Sequence, residues 1–157
     1  MGSASLLALL AEAGVSYEFL PHPRTERALA EAEALGVDPA EVAKTLVVST
    51  PAGYVRAVLP APERIDLSKL SQVVGVPRET LHLASEEALE RDYADFELGA
   101  TPPFGGARSD PVVVDRHLAG RKSLVVEAGT HVESLRLDSA DLVRVTQARV
   151  ADICADD

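Results

Sequence analysis

The sequence predicts an α+β domain in which helices pack around one mixed β-sheet. Three observations carry that expectation. Two β-rich runs, residues 44–49 and 54–59, are joined by Thr50-Pro51-Ala52-Gly53, whose turn chemistry makes them a hairpin. Three further strand-like runs, 111–115, 123–127 and 132–137, follow late in the chain, with Gly129-Thr130-His131 turning between the last two. Helical patterns are interspersed among these strands without alternating one for one, which disfavours a doubly wound sheet. With 157 residues, 46% of them apolar, and no internal repeat or linker, a single domain over 1–157 with one core is expected.

Leu6, Leu7, Leu9 and Leu10 give one face of a first helix over 5–13, stopped by Gly14. Residues 16–20 read as extended, and Pro21 and Pro23 then break regular structure. Thr25 is placed to N-cap a helix running to Leu35, with Gly36 at its end, because its hydroxyl can accept from a first-turn amide. Asp38-Pro39-Ala40-Glu41 opens another helix, with proline at the first helical position. After the hairpin, Asp66 caps a helix over 67–74 closed by Gly75 and Pro77, residues 80–83 are extended, and Ser85-Glu86-Glu87 starts a further helix. Periodicity is lost from Asp92 to Asp110, where Gly99-Ala100-Thr101-Pro102-Pro103-Phe104-Gly105-Gly106 dominates a loop long enough to be functional or mobile. A last helix over 139–145 and an extended 148–153 complete the chain.

Aromatic residues make up only 4% of the chain and tryptophan is absent, so the core is aliphatic and no stacking platform for single strands is visible. The net charge of −10, from 25 acids against 15 lysines and arginines, has the wrong sign for holding nucleic acid by its backbone. DNA is therefore not expected as a partner, and any contact with RNA must be local. The single cysteine, Cys154, excludes an internal disulfide and reads as a small buried hydrophobe. Glu12 follows the N-terminal leucines too soon for a signal-peptide core or a membrane span, so a cytoplasmic location without a membrane partner is the simplest expectation.

No Gly-x-Ser-x-Gly elbow, P-loop or dinucleotide fingerprint is present. His22, His82, His117 and His131 lie far apart without metal-helix spacing, so neither metal nor cofactor is expected, although folding can still gather them. The first three read as surface or satisfied histidines.

Three segments, in order, carry a resemblance. They are Val42-Ala43-Lys44-Thr45-Leu46-Val47-Val48, where a helix end delivers a lysine into a strand; Gly99-Ala100-Thr101-Pro102-Pro103-Phe104-Gly105, a Gly-x-x-x-Pro loop; and Glu127-Ala128-Gly129-Thr130-His131 after a strand. His22-Pro23-Arg24-Thr25, Asp66-Leu67-Ser68-Lys69-Leu70 and residues 137–153 extend the match to almost the whole chain. Together they resemble the YbaK and prolyl-tRNA-synthetase-associated domain family, which includes the insertion domain of bacterial prolyl-tRNA synthetases. The resemblance implies a curved, mixed sheet among helices. It also implies hydrolysis of misacylated tRNA, chiefly tRNA-Pro carrying a wrong small amino acid, with neither metal nor covalent intermediate and with a terminal-ribose hydroxyl assisting the attacking water. The partner is then the aminoacyl-tRNA acceptor end, with an aminoacyl-tRNA synthetase as a further one.

On that resemblance Lys44 and Gly99 are the catalytic candidates. The Lys44 ammonium would grip a phosphate or terminal-ribose oxygen, and Gly99 would let backbone amides approach the substrate carbonyl. Thr25, Ala100, Pro103, Gly105, Gly129 and His131 are the substrate-binding candidates. Pro103 stiffens the loop, the Gly129 to His131 turn lines the amino-acid pocket, and Thr25 borders the substrate as well as capping a helix. Selection by size follows, since one methylene in an apolar pocket is worth only about 1 to 3 kcal/mol. Ala128-Gly129-Thr130-His131 departs from the Gly-Gly-basic-basic pattern of cysteine-directed members, which leaves the edited amino acid open. The acidic balance and the lack of a general base leave a second reading standing, a non-catalytic module that docks tRNA or a synthetase, and a third, a small-ligand binder.

Overall fold

Helices in this chain begin and end where backbone groups left without helical partners are satisfied. The computed structural model describes residues 4–156. α1 (Ala4–Glu12) buries Leu6 and Leu10 and leads to β1 (Tyr17–Pro21). α2 (Ala28–Leu35) starts later than a Thr25 cap requires: its N-cap is Arg27, which makes no side-chain capping bond. The backbone N–H of Thr25 is instead donated to His131 O at 2.9 Å, and that of His22 to Val132 O at 3.0 Å. These ties hold the segment alongside residues 131 and 132, so the helix can start only once the chain has left them. Asp38 likewise caps a single 3-10 turn, Pro39–Glu41, because the chain passes directly into β2 (Val42–Thr50).

β3 (Gly53–Pro60) returns against β2 as the expected hairpin. α3 (Leu67–Val74) is capped by Asp66, which accepts from the amides of Ser68 and Lys69, and β4 (His82–Leu83) and α4 (Glu86–Asp92, capped by Ser85) follow. Then come β5 (Val112–Asp115), α5 (Arg116–Ala119), β6 (Ser123–Glu127), β7 (Glu133–Asp138), α6 (Ser139–Thr146) and β8 (Arg149–Ala151). α5 is a helix that sequence patterning did not anticipate. It is four residues long, too short for a periodic signal, and depends on Asp115 accepting from the amide of His117.

The eight strands form one curved, mixed sheet in the order β1-β7-β6-β2-β3-β5-β8, with β4 beside the far half of β2. β2 pairs antiparallel with β3 and parallel with β6, and β3 and β5 pair parallel. One face carries the largest apolar cluster, with Ala43, Val47 and Val126 packed beneath α1 and α6 residues such as Leu10 and Leu142. The opposite face is split between α2, whose Ala32 packs on Val42 and Val125, and α3, whose Leu70 packs on Val48 and Val55. Among the described residues no helix is long and apolar enough to cross a membrane.

Candidate active site

Strand register brings two motifs to one place. In the parallel pair β2 and β6, Val42 stands beside Val125 and Ala43 beside Val126, so the next residues along are Lys44 and Glu127. Val42 and Val125 share the α2 cluster, and a period of two puts Lys44 and Glu127 on that same face. Both line a cavity of about 400 Å³. Arg27, Thr45, Gly99 and Thr101 supply the rest of its polar lining, and Ala28, Leu29, Leu83, Ala84 and Leu89 give an apolar wall.

Burial lowers the pKa of the Lys44 ammonium, against the opposing fields of Cys154 and Glu63. Among the described residues no carboxylate lies within ion-pair distance of it, so its charge is available to a ligand. Gly99 faces the cavity with φ at 84°, a backbone region that L side chains rarely adopt. The His131 ring lies behind it. A Cβ on Gly99 would sit 3.4 Å from His131 Cε1.

His131 is 3% exposed and acts on the loop from within. Its Nε2–H donates to Leu98 O at 2.6 Å, and its backbone N–H donates to Glu97 Oε1 at 2.6 Å. The amide of Glu97 donates in turn to Gly129 O at 2.8 Å, and that of Ala100 to Glu97 O at 3.0 Å. Ala100, Gly129, His131 and Thr25 thus form one bonded frame around Gly99, and none of the four lines the cavity. Pro103 and Gly105 lie farther along the loop and face a second, larger cavity of about 760 Å³, bordered by Tyr54, Arg56 and Arg108. The structure therefore gathers Lys44 and Gly99 at one cavity and sets Pro103 and Gly105 at another.

The floor of the smaller cavity holds a buried carboxyl pair. Glu127 hydrogen-bonds Glu31 of α2, and Glu31 also accepts from the hydroxyl of Ser134, the residue directly across from Glu127 on β7. His22 Nε2 meets Ser134 Oγ at 2.9 Å. Burial raises both carboxyls, and the neighbouring charge of Glu31 helps push Glu127 up to about 9. No N–H or hydroxyl donor reaches Glu31 Oε1 among the described residues. One proton held between the two acids satisfies both.

The family model of the aminoacyl-tRNA editing domain matches residues 22–145. The chain belongs to the aminoacyl-tRNA editing domain family. Its activity class is therefore aminoacyl-tRNA hydrolysis. Similar proteins include EbsC of Enterococcus faecalis, named as a Cys-tRNA(Pro)/Cys-tRNA(Cys) deacylase, which is 29% identical over 87% of this chain and 82% of its own length. The Ser/Thr-tRNA deacylase ProXp-y of Escherichia coli is 29% identical over 90% of this chain and 86% of its own. A crystal structure described as a trans-editing enzyme for prolyl-tRNA synthetase superposes with a TM-score of 0.87 at 26% identity, covering 98% of this chain and 97% of that one.

Three residues of this editing domain escaped the sequence reading. Arg56 is 1% exposed, and its guanidinium donates to Pro102 O at 3.1 Å, Gly105 O at 2.7 Å and Arg108 O at 3.3 Å, stacking over Tyr93 at 5.0 Å. An arginine in the middle of the apolar strand Val55-Arg56-Ala57-Val58 was its signal. Glu31 had none, because acids are ordinary in a helix, and Glu127 stood at the head of the motif over 127–131 with no role attached to it. Folding also gathers Asp115, His117 and Cys154 near enough to share a metal ion, and none of the three lines the smaller cavity. His117 Nδ1 is bonded to Asp115 at 2.8 Å, and burial beside Asp115 pushes the Cys154 thiol up to about 12.

Proposed function

We propose that the protein acts in trans on mischarged tRNA, releasing a small non-cognate amino acid from tRNA-Pro by metal-free, substrate-assisted attack of water. The observation that carries this reading is the convergence of Lys44 and Gly99 on one cavity. Lys44 holds a phosphate or ribose oxygen of the terminal adenosine. The amide of Ala100 is already spent on Glu97 O, whereas those of Gly99 and Thr101 have no partner among the described residues and serve as donors to the ester carbonyl. The ester is an activated bond, and the neighbouring ribose hydroxyl positions the water. Such positioning supplies about 7 to 11 kcal/mol of a barrier. The described cavity lining offers one carboxylate and neither histidine nor cysteine, a poor donor set for a catalytic metal.

A cavity of about 400 Å³ with an alanine- and leucine-lined wall favours small acyl groups. The relatives named for Cys-, Ser- and Thr-tRNA support that size class. The test is release of amino acid from a panel of Ala-, Ser-, Cys- and Thr-charged tRNAs, with and without prolyl-tRNA synthetase, the expected further partner. Turnover is expected on tRNA-Pro carrying small residues. Lys44→Ala should lower kcat/KM roughly 10- to 100-fold, the worth of a charge-assisted hydrogen bond, with an unchanged circular dichroism spectrum. No release from any member of the panel, under conditions where a known editor works, would sink the reading.

A further inference from the structure

Burying two acids against each other is costly, and the pair Glu31–Glu127 has no part in gripping phosphate or ribose. Glu31 is fully buried and Glu127 is 7% exposed, with that residual surface opening into the cavity. Among the described residues no lysine, arginine or histidine lies within ion-pair distance of either. The charged groups around the pair are Lys44 on β2, Arg27 ahead of α2, His22 after β1 and His131 in the turn after β6. With one proton between them, held mainly on Glu127, the two carboxyls keep one net negative charge that has no ion-pair partner among the described residues, and a cation seated on Glu127 would displace that proton. The cavity thus presents two cations, Lys44 and Arg27, and one carboxyl group, Glu127, to the same ligand, with Lys44 and Glu127 side by side on neighbouring strands.

An aminoacyl ester has matching polarity. Its nucleotide end carries phosphate, and its acyl end carries an α-amino group whose pKa lies near 8, so it is largely cationic around neutral pH. We propose that Glu127, backed by Glu31, is the seat of the substrate's α-ammonium group, so that the enzyme accepts free aminoacyl esters and refuses N-acylated ones. This rests on the deacylase reading above and names the substrate class within it. With the ammonium on Glu127 and the terminal nucleotide on Lys44, the scissile carbonyl falls between them, beside Gly99 and Thr101. N-blocked esters, peptidyl-tRNA among them, lack the cation and would press an amide against a buried acid, so they are spared.

The experiment compares hydrolysis of alanyl- and seryl-tRNA with that of their N-acetyl forms by the wild type, Glu127→Gln and Glu31→Gln. The wild type is expected to favour the free-amino substrates by about 100-fold in kcat/KM, and Glu127→Gln to cut that preference about 10- to 100-fold, mainly through KM. Glu31→Gln should reduce it less, since Glu127 remains. Should Glu127→Gln not fold, Glu127→Asp, which keeps the charge but withdraws it by one methylene, should give an intermediate preference. Equal wild-type rates on free and acetylated esters, or a preference untouched by Glu127→Gln, overturns the proposal. If the wild type hydrolyses no ester at all, the deacylase reading fails, and the seat is judged by binding of a stable 3'-alanylamino-adenosine amide and its N-acetyl derivative. Tighter binding of the free amine, lost in Glu127→Gln, upholds it, and equal binding overturns it.

Discussion

Gly99 shows how little a single position in this site can change. Its φ of 84° already excludes most side chains, and an added Cβ would press on the His131 ring that holds Leu98 O. Gly99→Ala is expected to cost about 1 to 2 kcal/mol of stability through left-handed backbone strain, and to lower kcat/KM further because the loop amides are displaced. Lys44→Ala, at a half-buried side chain without an ion pair, should stay within about 0.5 kcal/mol of wild type while losing activity. Denaturation midpoints beside kcat/KM for the two variants separate these effects, and equal stability losses would refute the distinction. Lys44 and Gly99 stood out as candidates in the sequence because each belongs to an ordered motif, and the fold brings the two to one cavity. The burial of His131 was not, since a histidine in a turn carries no mark of the Glu97 and Leu98 atoms that folding delivers to it.

Among the elements, the loop after α4 contradicts the impression its composition gives. Glycine and proline suggest mobility, yet Tyr93, Phe96 and Phe104 are buried and Arg56 binds three of the loop's carbonyls from β3. Arg56→Ala leaves those carbonyls without their donor and empties a buried volume, which should cost about 2 to 4 kcal/mol. Limited proteolysis should then cut first between residues 98 and 110, and a loop as resistant as wild type would count against the clamp. The contact of α2 with β6 gives a second prediction. Glu127 is raised from 4.5 to about 9, first by burial and then by Glu31, so between those values the native state binds more protons than the unfolded chain. Stability from this group is fully present below about 4.5, declines as pH rises and is gone above about 9. Urea midpoints should fall from about pH 6 to about pH 9, and the fall should flatten in Glu127→Gln; an identical slope in that variant would contradict the shared proton. Patterning located the strands to within a residue or two because apolar runs and turns are local signals. The late start of α2 was invisible because the ties from His22 and Thr25 to residues 131 and 132 span more than a hundred residues.

At the scale of the whole molecule, the sheet order could not be read from the chain. The hairpins β2–β3 and β6–β7 follow from short turns, but the parallel joins of β2 to β6 and β3 to β5 are long-range, and the first of them brings Lys44 to Glu127. Net charge is the global quantity that bears most directly on function. At −10 the surface as a whole repels RNA, and the described cavity lining contributes only two cations, Lys44 and Arg27. Single-stranded binding releases about 0.7 counterion for each phosphate neutralised, so an acceptor end held by two cations should give a slope of log Kd against log salt of about 1.4. Anisotropy titrations of labelled tRNA from low to physiological salt check this. A slope near 1.4 with weak affinity fits capture of the acceptor end alone, and it implies that a carrier such as a synthetase raises turnover at limiting tRNA. A slope above about 4 would require a basic surface of six or more contacts, and the local mode of capture would then be wrong.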